Sequence, residues 1–188
     1  RGRRFLGLDR DHIRHPDAVA PDLAELALAA AMRTGGADVF DALVAELARS
    51  DDAQLRQRAL VALASARDPA LVARALDLAL DPRLHKNERL VALKPLLGAL
   101  ATRDAAWSWL TEHFDALAAL LPDRYGGQIP SMISMCEPQR IERVRAFFGP
   151  RIDGLTGGPR NLAQALEAAE QCAARAAAQR DSVLRYLR

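Results

Sequence analysis

The stretch of residues 38–82, DVFDALVAELARSDDAQLRQRALVALASARDPALVARALDLALDP, decides the fold class. Its apolar residues recur at spacings of three and four, which is the period of an amphipathic helix. Asp68-Pro69 restarts the pattern, because Asp is a favoured N-cap and Pro suits the first helical turn. Asp81-Pro82 then ends it. The stretch therefore predicts three consecutive helices.

The composition of the whole chain agrees with a helical fold. The 188 residues include 38 Ala and 29 Leu, but only 17 Val, Ile and Thr together. Ala and Leu favour helices, whereas β-branched residues favour sheets. No apolar run reaches the roughly 18 residues that a transmembrane helix needs, so we expect no membrane span.

The helical pattern continues on both sides of the opening stretch and suggests a repeat. Predicted helix starts recur near residues 38, 52, 68, 87 and 102. Taken in pairs, they give a period of roughly 30 to 35 residues, as in helix-pair repeats. We predict an all-α fold, a right-handed α-solenoid of antiparallel helix pairs of the HEAT or armadillo type. Residues 1–20 are expected to be a linker or the tail of a preceding domain, and residues 21–188 the helical domain. The start at Arg1 predicts that the chain is cut from a longer polypeptide.

The charged residues give no sign of a nucleic-acid partner. The net charge is +2, and the 26 basic residues comprise 24 Arg and two Lys. Acidic residues alternate with the arginines along the chain, whereas a nucleic-acid groove gathers basic residues on one face. A GC-rich codon bias explains the Arg surplus, and we expect no nucleic acid to bind.

The two cysteines, Cys136 and Cys172, lie 36 residues apart. Two cysteines permit one disulfide, but no Cys-x-x-Cys pair or small disulfide framework is present. Cys172 falls among alanines on a helical apolar stripe, so we expect a buried and inert thiol. The compartment stays open on this pattern, either cytoplasmic or periplasmic in a bacterium.

A search for catalytic motifs finds none in the sequence. His12 and His15 are close to each other, but no His-Glu-x-x-His zinc motif, phosphate-binding Gly-rich loop or Gly-x-Ser-x-Gly nucleophile motif occurs. Glu167 and Glu170 lie in an Ala-rich helix and are expected to face solvent. The aromatic residues fall at helical spacing and are expected in the core, with Trp109 contacting a neighbouring element. We therefore expect no metal or cofactor in this chain.

Several segments, in order, resemble the C-terminal domain of aminopeptidase N-type zinc metallopeptidases, also called the endoplasmic-reticulum-aminopeptidase-like C-terminal domain. They are VFDAL at 39–43, RALVALASARDP at 58–69, TRDAAW at 102–107 followed by His113-Phe114, IERVRAFF at 141–148 and LAQALE at 162–167. The match in order and spacing covers roughly residues 20 to 187. The segment at 158–167 resembles the bacterial branch, in which a Cys near position 172 is familiar. The animal pattern has Asn and Trp in this region, where Cys172 and Arg175 stand here, so animal-type contacts are not carried over.

The resemblance implies an all-helical bowl that covers the catalytic domain of a larger enzyme. That parent would bind zinc through His-Glu-x-x-His and a later Glu, and would grip the substrate's free amine with a Gly-x-Met-Glu-Asn loop. None of these residues is in this chain. The implied partners are the catalytic domain of the same polypeptide and peptide substrates. Our candidates for contacting a peptide's carboxylate or its surroundings are Arg103, Asn87, Glu88 and Arg89, each with a structural cap or an interdomain contact as the alternative role.

A free-standing HEAT-like scaffold that binds a protein or a nucleic acid is the alternative function. A DNA-glycosylase type of HEAT fold is one variant, and it would need a concave basic face. An apolar or acidic patch left exposed at one edge of the fold would instead indicate an absent catalytic domain.

Overall fold

The computed structural model describes residues 1–187, with the side chain of Asp123 not described. Over these residues the fold is all-helical, which confirms the predicted fold class. The ten α-helices are α1 Gly2–Phe5, α2 Ala24–Thr34, α3 Ala37–Arg49, α4 Ala53–Leu63, α5 Pro69–Asp77, α6 Arg89–Gly98, α7 Arg103–Leu120, α8 Asp123–Gly126, α9 Pro138–Phe148 and α10 Gly158–Tyr186. None of the helices described here is both long and apolar enough to cross a membrane.

The chain divides into two compact units, Arg1–Leu120 and the part from Leu121 onward. In the first unit, α2 and α3 both pack on α4, α4 packs on α6, and α5 and α7 pack on α6. Alternate helices, α2 with α4 and α4 with α6, are thus packed on each other, and the helix-pair repeat stays a prediction. The right-handed superhelix stays a prediction.

Side-chain caps start two of these helices. The carboxylate of Asp52 accepts from the backbone N–H groups of Gln54 at 2.8 Å and Leu55 at 3.3 Å, and Asp68 caps α5 in the same way. Such caps satisfy N–H groups that have no partner within the helix. The cap at Asp68 followed by Pro69 was predicted from the sequence, and its position is confirmed.

The first unit encloses a mainly aliphatic core, to which Phe40 contributes a fully buried aromatic ring. Fully buried side chains from α2, α3, α4, α6 and α7 build it: Leu28, Met32, Phe40, Leu43, Leu60, Leu63, Leu93, Leu96, Leu97, Leu110 and Leu117. They recur at helical spacing within α3, α4 and α7, as Phe40 and Leu43, Leu60 and Leu63, and Leu110 and Leu117 show. Close packing of this kind holds the helices in one arrangement.

The first twenty residues are part of this unit. Helix α1 packs on α2, and Gly2 permits the approach, since a Cβ there would lie 2.3 Å from the carbonyl oxygen of Ala27. The side chain of Arg14 pairs with Glu46 of α3, which is 1% exposed and also accepts from Arg49 at 2.6 Å. A linker or tail role for residues 1–20 stays a prediction, but these residues have contacts within the unit.

The second unit is built on α10, the longest helix. It packs on α9 and on the 3-10 turns Ile129–Met132 and Ile152–Gly154. Leu162, Leu166 and Ala169 are the buried apolar residues of α10. From residue 170 onward, the described residues of the helix are exposed or half-buried.

The two cysteines are joined in a disulfide in the second unit. Cys136 precedes α9, Cys172 lies in α10, and their Cα atoms are 5.2 Å apart. Cys172 is exposed, so the prediction of a buried, inert thiol is wrong. The apolar stripe of α10 continues past Ala169, but the helix leaves the packed part of the unit there, so the stripe no longer marks burial.

Candidate functional site

Glu88, one of the four candidate residues, forms a buried ion pair with Arg56. Two hydrogen bonds join the guanidinium to the carboxylate, Nε to Oε1 and Nη2 to Oε2, each at 2.7 Å. Arg56 is 5% and Glu88 7% exposed. This two-point geometry is the strong form of an Arg–carboxylate contact. It ties α4 to the residue that precedes α6.

The same guanidinium also holds the backbone around it. Arg56 donates to the carbonyl oxygens of Leu47, of Ser50 at 3.2 Å and of Arg83 at 3.3 Å. These carbonyls belong to the end of α3, the turn after it and the segment before α6. One buried side chain therefore fixes three parts of the first unit.

The protonation of Glu88 follows from this environment. Burial alone would raise the pKa of Glu88, but the hydrogen bonds from Arg56 and from the backbone N–H of His85, together with the Arg56 charge, lower it below the usual range. The charged form is thus favoured in the folded state. A carboxyl with a lowered pKa stabilises the fold above its unfolded-state pKa, and this contribution is lost as the pH falls through the folded-state pKa.

Arg89, the next candidate, also points into the protein. It is 5% exposed and donates to the carbonyl oxygens of Ala79 at 2.7 Å, Asp81 at 3.1 Å and Leu84 at 3.3 Å. Arg89, the first residue of α6, therefore holds the segment between α5 and α6 against the start of α6. This is the structural alternative that the sequence had left open for Arg89.

Asn87 and Arg103 are the more accessible candidates. Asn87 is exposed, and the N-cap of α6 is Glu88 without a side-chain cap, so the expectation that Asn87 caps this helix is wrong. The carboxylate of Glu88, which stands at the N-cap position, accepts instead from Arg56 and from the backbone N–H of His85. Arg103 is half-buried at the first turn of α7.

The four candidates do not form one site. Asn87, Glu88 and Arg89 lie at the start of α6, whereas the backbone N–H of Arg103 bonds to the carbonyl oxygen of Ala99 just past its end. Ten helical residues separate these ends by about 15 Å along the axis. Whether Asn87 or Arg103 contacts a peptide stays a prediction.

A second polar contact links α5 and α7. The indole Nε1 of Trp109 donates to the Asp77 carboxylate at 2.8 Å, and the ring of His113 stacks on Trp109 with centroids 4.8 Å apart. The expectation that Trp109 touches a neighbouring element is confirmed. No sequence pattern pointed to Asp77 as its partner, because the two residues lie 32 positions apart.

Residues 1–187, as far as their side chains are described, give no indication of a metal centre. No group of three or more His, Cys, Asp or Glu side chains within the described part of the chain is placed to bind a metal ion. His15 pairs with Asp11 at 2.7 Å, on the surface. Glu167 and Glu170 are exposed, as expected.

Comparison with protein families gives a match over most of the chain. The ERAP1-like C-terminal domain matches residues 3–171. A comparison with curated proteins finds no match. The family match agrees with the resemblance read from the sequence motifs, whereas a bacterial origin stays a prediction. The matched range covers far more than half of the chain and the structure is all-helical, so the chain belongs to the ERAP1-like C-terminal domain family and, as membership implies, is part of an aminopeptidase.

Proposed function

We propose that this chain is the non-catalytic C-terminal domain of a zinc-dependent aminopeptidase that removes N-terminal amino acids from peptides. In this proposal the domain covers the active-site cavity and restricts or orients the peptide substrate. The observation that carries it is the family match over residues 3–171. A helical cover that opens and closes would control which peptides reach the catalytic groups.

The residues of this chain do not fit the zinc site of such an enzyme. A catalytic zinc needs three protein ligands converging on one point, with an open fourth position. Here His15 pairs with Asp11, His113 stacks on Trp109, and the sequence contains no His-Glu-x-x-His. We therefore assign the zinc to the catalytic domain, which we propose as the partner within the same polypeptide.

Exposed apolar side chains support a surface that meets another domain. In the first unit, Leu23 is 50% and Leu26 63% exposed, and residues three apart share one face of a helix start. In the second unit, Val183, Leu184 and Leu187 are exposed at the end of α10. Grouped apolar side chains in water favour contact with a partner. Such exposure would serve contact with a catalytic domain, and equally contact with another protein partner.

The accessible candidates can be given separate roles within the proposal. Arg103 has the chemistry to bind the C-terminal carboxylate of a peptide, because a guanidinium donates two parallel hydrogen bonds to a carboxylate. Asn87 can donate to or accept from a peptide backbone. Glu88 and Arg89 are buried, so we assign them to holding the start of α6 in place.

The Arg103→Glu substitution in the full-length enzyme tests this role. We expect the KM for peptides to rise about tenfold, since one charge-assisted hydrogen bond contributes roughly 1.5 to 3 kcal/mol. Hydrolysis of an alanyl anilide should not change, because this substrate has no C-terminal carboxylate. Steady-state kinetics on both substrates gives the measurement.

Arg58→Glu is the matched control, because Arg58 of α4 is, like Arg103, a half-buried arginine. Arg58→Glu should leave the kinetics of hydrolysis of both the peptide and the anilide unchanged. An equal loss on the peptide and the anilide in Arg103→Glu would contradict the carboxylate role. An unchanged peptide KM would contradict it as well.

The isolated chain should not hydrolyse peptides. We expect no turnover of an alanyl anilide by residues 1–188 alone, with or without added zinc, because the sequence lacks the zinc motif. A chromogenic assay over several hours measures this. Turnover that survives repurification and is stopped by a chelator would overturn the proposed non-catalytic role.

A further inference from the structure

We propose that the Cys136–Cys172 disulfide is a structural clamp of the second unit, and that the chain consequently matures in an oxidising compartment, such as the bacterial periplasm. The inference does not depend on the proposed function. It decides between the two compartments that the sequence had left open.

The cysteines are placed for a clamp between two elements that are distant in sequence. Cys136 immediately precedes Glu137, the N-cap of α9, and Cys172 lies one helical turn beyond Ala169, the last buried residue of α10. Their Cα atoms are 5.2 Å apart, within the range that a disulfide spans without backbone movement. The bond therefore joins the start of α9 to the middle of α10.

The clamp lies where other contacts of α10 become few. Before it, Leu162, Leu166 and Ala169 pack into the unit. Near it, Arg145 of α9 pairs with Glu170 at 2.7 Å, but both side chains are about half exposed. Exposed ion pairs contribute little to stability. The disulfide is thus the strongest constraint between α9 and the second half of α10.

Because Cys172 is exposed, the disulfide would be open to reduction in the cytosol, and its persistence depends on the compartment. Glutathione and thioredoxin keep accessible cysteine pairs reduced in the cytosol, whereas oxidising compartments preserve disulfides. Cys172 is exposed and Cys136 is half-buried, so reductants reach the bond. Both cysteines of the chain are used in this one pair. A structural role therefore requires that the protein be kept away from those reductants.

Formation of the bond requires an oxidant, which we take to be the disulfide of a dithiol-oxidase protein. One cysteine thiolate attacks that disulfide and forms a mixed disulfide with the oxidase. The second cysteine then displaces the oxidase from it, which leaves the oxidase as a dithiol. Two electrons and two protons pass from the cysteine pair to the oxidant.

The first test counts thiols in the full-length protein taken from its own cells. The cells are quenched in acid, free thiols are alkylated, and peptides are mapped by mass spectrometry without reduction. We expect the peptides that contain Cys136 and Cys172 to be linked and unlabelled. Alkylation of both cysteines would contradict the proposal that the protein matures in an oxidising compartment. Labelling that rises and falls with oxidant treatment would also overturn it, because it would identify a cytosolic switch.

The second test measures the clamp itself by limited trypsin digestion of the same full-length protein. Arg145 and Arg160 lie inside the loop that the disulfide closes, whereas Arg33 and Arg58 lie in the first unit. Reduction should accelerate cleavage at Arg145 and Arg160 by about tenfold or more, because the closed loop restricts local opening. Cleavage at Arg33 and Arg58 should not change, which makes these sites internal controls.

The double variant Cys136→Ser/Cys172→Ser separates the clamp from other effects of the reductant. It should be cleaved at Arg145 and Arg160 as fast as the reduced protein, and the reductant should not change its cleavage further. Equal cleavage of the oxidised and reduced wild-type protein would overturn the structural role of the bond.

Discussion

Substitution of Arg56 by Ala should lower the free energy of unfolding of the chain by about 3 to 5 kcal/mol, the loss typical when one partner of a buried ion pair is removed. The change leaves the Glu88 carboxylate buried without its guanidinium, and it removes the donor to the carbonyl oxygens of Leu47, Ser50 and Arg83. Urea denaturation followed by circular dichroism at neutral pH measures the loss.

Arg58→Ala is the control for this substitution, because it removes a half-buried arginine from the same helix, whose guanidinium bonds only to the Gln54 side chain in an exposed contact at 3.4 Å. We expect a change of less than about 0.5 kcal/mol there. The double substitution Arg56→Met/Glu88→Leu should recover much of the stability, because it leaves no buried charge unpaired. A loss below about 1 kcal/mol in Arg56→Ala would contradict the importance of the pair.

The pH dependence gives a second check on the same pair. The pKa of Glu88 is lowered in the folded state from its ordinary value of 4.5. Its contribution is therefore fully present at neutral pH and declines as the pH falls below that value. The stability difference between the wild type and Arg56→Ala should shrink under acid conditions. A difference that grows on acidification would have the wrong sign.

Polar contacts in the first unit recur at the period that the helix starts predict. Arg14 with Glu46, Arg56 with Glu88, and Trp109 with Asp77 are each 32 residues apart. Arg74 and Asp41 are 33 apart and also form an ion pair. This regular separation is consistent with stacked repeats, which stay a prediction. The period was readable from the sequence because it depends on local apolar spacing and caps.

The partners in these contacts were not readable from the sequence. Charged residues at a helix start favour solvent, caps or ligands, so Glu88 and Arg89 were predicted as substrate contacts. Their burial depends on Arg56 and on carbonyls at residues 79–84, which only the tertiary fold brings near. The prediction of a buried Cys172 thiol was wrong for a similar reason, since the apolar stripe of α10 extends beyond the part of the helix that is packed.

Two adjacent aromatic residues of α9 show that helical spacing does not predict burial to within one position. Phe147 and Phe148 are both apolar positions of the α9 pattern. Phe148 is 0% exposed in the core of the second unit, whereas Phe147 is half-buried and lies under Arg151, whose guanidinium carbon is 4.3 Å from its ring centroid. Helical spacing alone cannot separate two neighbours at the edge of the buried face, because the stripe is wider than one residue.

Substitution of Phe148 by Ala should therefore destabilise the second unit by about 3 to 5 kcal/mol, through lost burial and the cavity that the ring leaves. Phe147→Ala is the matched control, and we expect a loss of about 1 kcal/mol or less, because its ring is partly in water. Hydrogen exchange of the α9 and α10 amides measures both effects, since opening of this unit exposes them. The first unit should retain its protection in both variants. Equal losses from the two substitutions would show that the second unit does not depend on the Phe148 ring as its core residue.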